Sequence, residues 1–118
     1  LTVGACDERA EPAERPPQPE VRWRALGIWS GSGDRQTESF DVTTGTLKVA
    51  WKASGAGRLR ISLHSAISGR SLQTIVDTVG AAADSVYVAD EPRVSYLVIE
   101  SEGGEWGVRL EEAVRGPP

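Results

Sequence analysis

The sequence predicts an all-β domain, a two-sheet antiparallel β-sandwich of about eight strands with a jelly-roll-like order. Two observations carry this. Short runs alternate apolar with polar residues, most clearly at Leu59, Ile61 and Leu63 and again at Leu47, Val49 and Trp51. Turns rich in small residues separate the runs at intervals of roughly 10 residues, which suits a chain with 13 glycines. An apolar fraction of 39% and a charged fraction of 25% are ordinary for a globular chain of 118 residues.

Val21 to Trp29 reads as the first strand, with one irregularity. Val21 and Trp23 share one face while Leu26 and Ile28 share the other, so a bulge or sheet crossing near Gly27 is needed to reconcile them. Gly31-Ser32-Gly33-Asp34 is a turn or bulged segment, and Arg35 to Val42 is the second strand. After the turn Thr43-Thr44-Gly45 the chain returns through Leu47, Val49 and Trp51, with Lys48, Ala50 and Lys52 as the solvent-facing alternates. The run from Trp29 to Trp51 is thus read as the central hairpin of the sandwich.

Ser54-Gly55-Ala56-Gly57 closes that strand. Arg58 to His64 follows, paired with Ser71 to Asp77 through the turn Ile67-Ser68-Gly69-Arg70. Thr78 to Asp84 is a small-residue connection suited to passing between the two sheets, before a short strand at Ser85 to Val88. Arg93 to Ser101 is apolar on both faces, with Val94, Tyr96 and Val98 on one and Leu97 and Ile99 on the other, as expected of a central strand. Glu102-Gly103-Gly104-Glu105 then reads as a hairpin loop into Trp106, Val108 and Leu110.

The chain falls into four parts: residues 1–6, a linker at 7–20, the sandwich at 21–114 and a short tail at 115–118. The folding unit is therefore roughly 95 residues, enough for one modest core. The linker carries Pro12, Pro16, Pro17 and Pro19 among Glu8, Glu11, Glu14 and Glu20. With almost nothing apolar to bury, it is expected to be a disordered, extended tether. At about 3 Å per residue it would reach up to about 40 Å. Residue 1 is not Met, which fits a sequence that starts within a longer precursor.

Val3-Gly4-Ala5-Cys6 resembles the lipobox of bacterial lipoprotein signal peptides: an aliphatic residue, two small residues and a required cysteine. The resemblance implies that residues 1–5 are the remnant of a signal peptide and that Cys6 receives a diacylglyceryl group. It further implies a domain tethered at a membrane, periplasmic or at the cell surface. In some Gram-negative lipoproteins an Asp after the cysteine resembles a signal for staying on the inner membrane, and Asp7 stands there. The positions from Trp29 through Phe40 and Trp51 to Tyr96 and Trp106 resemble small exported bacterial β-sandwich domains of uncharacterised function, which often follow a lipobox and linker.

The chemistry-bearing residues point away from catalysis. A net charge of −4, with no block of Lys and Arg, does not suit nucleic acid. The single His64 falls on the polar face of its strand with Ser62, where a solvated histidine is expected. No Gly-x-Ser-x-Gly elbow is present. Asp34, Glu38 and Asp41 flank the glycine-rich turn without the dense oxygen spacing of calcium loops. Glu111 and Glu112 point to opposite faces of their strand rather than converging. No metal, cofactor or enzymatic activity is therefore expected.

The four tryptophans remain. Trp51 and Trp106 lie in register with apolar neighbours and are read as core. Trp23 and Trp29 are the candidates for contact with a protein partner or a glycan, because Trp is favoured at interface hot spots. The sequence thus points to a non-catalytic, lipid-anchored extracytoplasmic domain that packs on another envelope protein or a membrane complex. The alternative is a carbohydrate-binding module using an exposed Trp.

Overall fold

A computed structural model describes residues 21–115. They form nine strands: β1 (Val21–Ser32), β2 (Arg35–Gln36), β3 (Phe40–Val42), β4 (Thr46–Ala53), β5 (Arg58–Ser65), β6 (Ser71–Val79), β7 (Ala82–Ala89), β8 (Arg93–Ser101) and β9 (Glu105–Arg115). The four-stranded sheet runs β1-β9-β4-β7. The five-stranded sheet runs β2-β8-β5-β6, with β3 also on β8. Among the described residues every strand pairing is antiparallel. The last strand extends one residue beyond the expected domain boundary at 114.

Taken together, β2 and β3 occupy the place of the single strand expected at Arg35 to Val42. With them counted as one, the fold has eight strands, four per sheet, in jelly-roll order. The break falls at Thr37, which is buried. Its amide donates to the Leu97 carbonyl at 2.9 Å, and its Oγ1 accepts from the Leu97 amide at 3.0 Å. A side chain thereby replaces one rung of the backbone ladder, and the strand resumes at Phe40 with no buried amide of Leu97 left unpaired.

Only β5 and β6 are both consecutive in sequence and hydrogen-bonded to each other. This corrects two expectations. The segment from Phe40 to Trp51 is not a hairpin: β3 pairs with β8 in one sheet, and β4 lies between β9 and β7 in the other. Likewise Glu102–Glu105 does not close a hairpin, because β8 and β9 belong to different sheets. Both turns carry the chain across the sandwich. The crossing between β6 and β7 is confined to Gly80-Ala81, so much of the expected connection at 78–84 is strand.

The core follows the predicted alternation. Leu47, Val49, Ile61, Leu63, Leu97, Ile99 and Leu110 have no measurable exposure. They come from β4, β5, β8 and β9, the two central strands of each sheet. Trp29, Trp51 and Trp106 close the layer around them. Trp106 Nε1 donates to the Gly33 carbonyl at 2.9 Å and so fastens the turn after β1 to β9.

The bulge expected near Gly27 is present: the β1–β9 register shifts between Ala25 and Gly27. The extra residue switches which set of β1 side chains faces inward, so Trp23 points out and Trp29 points in. Gly27 has a second duty. A Cβ there would overlap the indole of Trp29, which folds back across the glycine. Gly27→Ala is therefore expected to lower stability by about 1–3 kcal/mol through overpacking. A chemical-denaturation midpoint unchanged from wild type would show that the indole has room to move.

Candidate functional site

The outward face of the four-stranded sheet differs from the rest of the surface. Its side chains are the alternates of the core residues, set by the pleat and by the bulge in β1. Trp23 pairs with Ala113 across β1 and β9. Lys48 stands between Glu111 and Tyr87 in the β9-β4-β7 order. The indole of Trp23 leans over these strands until its centroid lies 5.8 Å from the Tyr87 ring, the two planes inclined at 55°. The Lys48 ammonium sits 5.8 Å from the Trp23 centroid, within cation–π range.

Away from this end the same face becomes a shallow groove of about 710 Å³. Its floor is made of small residues, Ala50, Ser85, Ala83 and Gly107, and its rims carry Ile28, Lys52 and Arg109. Lys52 lies along Gly107, where a Cβ would meet its chain at 3.0 Å. A second hollow of about 600 Å³ continues past Ser30 and Lys52 to Ser54 and Glu105. Ile28 is 66% exposed and Tyr87 64% exposed. Beside them, Arg109 pairs with Glu111 at 3.0 Å, leaving Lys48 and Lys52 as the cations without an acidic partner there among the described residues.

The expected site residues separate. Trp23 is half-buried on this outer face. Trp29 is 5% exposed and belongs to the core, packed against Phe40 at 6.0 Å between centroids. Its Nε1 donates to Glu38 Oε1 at 3.2 Å. An indole in that position has no face to offer a partner or a sugar, so the surface role considered for it does not fit its placement. Cys6 and the lipobox, with the linker at 7–20, lie outside the described residues.

Other sequence candidates are held in structural roles. Asp34 accepts the Ser101 amide at 2.9 Å, and Glu38 accepts from Trp29, so Asp34, Glu38 and Asp41 do not converge. Among the described residues no group of three potential metal ligands comes together. Ser62 is buried rather than solvent-facing. His64 is half-buried, stacked on Tyr96 at 5.3 Å with its Nδ1 3.2 Å from the Gly69 carbonyl, instead of standing free in solvent.

Two features escaped the sequence reading. Tyr87 and Lys48 belong to the candidate surface, and the signal for them was present: each is the outward alternate between buried neighbours, Val88 beside Tyr87 and Leu47 and Val49 beside Lys48. Glu112 is the other. It has no exposed side-chain surface, and it accepts from the Thr44 amide at 2.7 Å, the Thr43 hydroxyl at 2.9 Å and Arg24 Nη2 at 2.8 Å, as well as from the Thr43 amide. Burial alone would push its pKa up. The backbone amides of Thr44 and Thr43, the Thr43 hydroxyl and the Arg24 guanidinium outweigh that and hold it below the ordinary glutamate value.

No family model matches the chain, and no curated protein matches it significantly. Solved structures align with it. A chain from Bacillus endospore appendages, a novel family of disulfide-linked pili, aligns at 14% identity with a TM-score of 0.50, covering 83% of this chain and 92% of that one. A chain of infectious bursal disease virus strain Gx aligns at 15% identity with a TM-score of 0.36, over 84% of this chain and 32% of its own length. At 14% identity the likeness to the appendage chain is one of fold alone.

Proposed function

We propose that this is a non-catalytic extracytoplasmic accessory domain, tethered at a membrane through a lipid on Cys6, that packs on another protein of the cell envelope. The observation that carries the reading is the Trp23–Lys48–Tyr87 cluster. It is an aromatic pair with an adjoining cation, on an outer face that continues into the groove rimmed by Ile28, Lys52 and Arg109. Trp and Tyr offer large contact area at small entropic cost, and they dominate interface hot spots. The cluster also lies two residues into β1, at the end where residues 7–20 join the domain, so a short tether would hold it near other membrane proteins.

The test is in-membrane cross-linking from position 87, with Tyr87 replaced by a photoreactive amino acid, in otherwise native chains and in chains carrying Trp23→Ala. The expected result is one discrete cross-linked species that Trp23→Ala removes. A native protein that stays monomeric, with no such species, overturns the reading. Mass spectrometry of the mature N-terminus is expected to find a diacylated Cys6.

A carbohydrate-binding module remains the second reading, and the same ring supports it. The hydroxyls of Ser30 and Ser85 line the adjoining groove, as a sugar chain would need. Against it, Lys48 stands over the Trp23 ring where a pyranose would stack. Glycan titration followed by tryptophan fluorescence separates the two readings.

A further inference from the structure

The edge of a sheet carries a row of unpaired backbone groups, and such a row is a template for another strand unless something blunts it. Three of the edges here are blunted. β1 has the bulge between Ala25 and Gly27, and its Ser30 carbonyl accepts from Arg35 Nη1 at 3.4 Å. β6 shifts register twice against β5, and β2 and β3 are only two and three residues long. β7 differs: it pairs with β4 from Ala82 to Ala89 without a shift, and it contains no Pro, Lys or Arg.

The hydrogen bonds show which of its groups are open. The Asp90 amide donates to the Gly45 carbonyl at 2.8 Å, continuing the ladder toward β4. Backbone groups of successive strand residues point to alternate sides, so those of Ala83, Ser85, Tyr87 and Ala89 face away from β4. Two are taken within the domain: the Ser85 amide donates to Asp84 Oδ1 at 2.8 Å, and the Ala89 carbonyl accepts from Gln73 Nε2 at 3.0 Å. Among the described residues the amide and carbonyl of Tyr87 and the carbonyl of Ser85 stay open at this edge.

We propose that this edge of β7 takes an extended segment of another protein as an added antiparallel strand, with a Lys or Arg of that segment opposite Asp84. The inference rests on the reading of the domain as one that packs on a partner, and adds where the partner's chain is seated and what chemistry it brings. Main-chain bonds hold such an added strand, and its alternate side chains decide which segment fits.

Asp84 makes that choice. It stands opposite Trp51 on the inward side of β7, and among the described residues it pairs with no cation. Its Oδ1 holds the Ser85 amide, which leaves the second carboxylate oxygen for an incoming donor. A second copy of the chain supplies none. Inward residues meet inward residues across an antiparallel pair, so against another β7 Asp84 would face Ala82, Asp84, Val86 or Val88, none of them basic. An inward charge thereby discourages self-pairing and admits a strand of opposite sign. The chain's own linker does not fit either, because Pro16, Pro17 and Pro19 have no amide to donate.

The test is amide hydrogen exchange of the full chain, followed by NMR, with a capped synthetic peptide Val-Thr-Val-Thr-Lys-Thr and with the same peptide carrying Glu in place of Lys. Laid antiparallel from Val88 to Ala83, the first sets its Lys opposite Asp84 and its two valines opposite Val86 and Val88. It is expected to slow exchange at the Tyr87 amide about tenfold, and the Glu peptide to leave that amide unchanged. In Asp84→Lys the two peptides should trade effects, a result that loss of folding could not produce.

No slowing at Tyr87 overturns the proposal, and so does equal slowing by both peptides, because Asp84 would then select nothing. Slowing confined to β1 or β6 overturns the choice of edge. Any of these failures leaves the partner reading standing if the cross-linked species still forms. Peptide protection without a cross-linked species removes the partner reading and keeps the edge.

Discussion

Replacing Glu112 by Ala is expected to lower stability by about 2–4 kcal/mol, because it leaves backbone amides without their charged acceptor, while Arg24, half exposed, turns to water. The carboxylate joins three segments, alongside the β1–β9 ladder and a 3.3 Å bond from Arg24 to the Thr43 hydroxyl. Arg24 comes from β1, Thr43 and Thr44 come from the crossing between β3 and β4, and Glu112 itself stands on β9. Without it, the amides of Thr43 and Thr44 lose their acceptor. For a domain of this size the thermal midpoint should fall by roughly 10–30 °C. A fall of only a few degrees would mean that water takes over the carboxylate's role.

The same residue sets an acid limit. The folded state keeps Glu112 ionised below the ordinary glutamate value of 4.5, so as the pH falls the unfolded chain takes up the proton first. Its contribution is therefore complete above that value and is lost as the pH drops through the lower folded-state pKa. Glu112→Gln should be less stable than wild type at neutral pH, and the gap should narrow in acid. A gap that stays constant from pH 7 to pH 3 would remove Glu112 from the acid response.

Trp29→Ala and Trp23→Ala are expected to diverge sharply. Trp29 fills the core beside Phe40 and covers Gly27, so truncation should cost about 3–5 kcal/mol through lost burial and the cavity left behind. Trp23 packs against Tyr87 and Lys48 at the surface, and its loss should cost about 1 kcal/mol or less. Urea denaturation of both variants distinguishes them. Similar losses would mean that the bulge in β1 does not separate an inner from an outer tryptophan.

That pair also shows what the sequence could and could not disclose. The alternation at Leu47, Val49 and Trp51, or at Leu59, Ile61 and Leu63, fixes a face directly, and those residues are core. Around Gly27 the period is interrupted. Which of Trp23 and Trp29 turns inward depends on where the extra residue falls, a matter decided by the partner strand β9.

The turns were harder still. Thr43-Thr44-Gly45 and Glu102-Gly103-Gly104-Glu105 have the composition of hairpin loops, yet each crosses from sheet to sheet. Composition reports that the chain reverses, and pairing depends on strands far away in sequence. Gly45 illustrates the point. Its φ of +82° suits any tight turn, but what excludes a side chain there is the carbonyl of Asp90, brought in by the β4–β7 pairing. Glu112 was legible only as the inward neighbour of Glu111. That the inward position is occupied by a paired carboxylate follows from Arg24 and the Thr43 crossing.

The pairing of the first and last described strands has a mechanical consequence. Val21 lies opposite Arg115, and the ladder runs from there to Ser32 opposite Glu105. Tension between Val21 and the far end of β9 at Glu105 would load this ladder lengthwise, so many hydrogen bonds resist together. Tension between Val21 and Arg115 would instead open it from one end, a bond at a time. The domain is thus built to hold against a pull along β1 and to yield when its two ends are drawn apart.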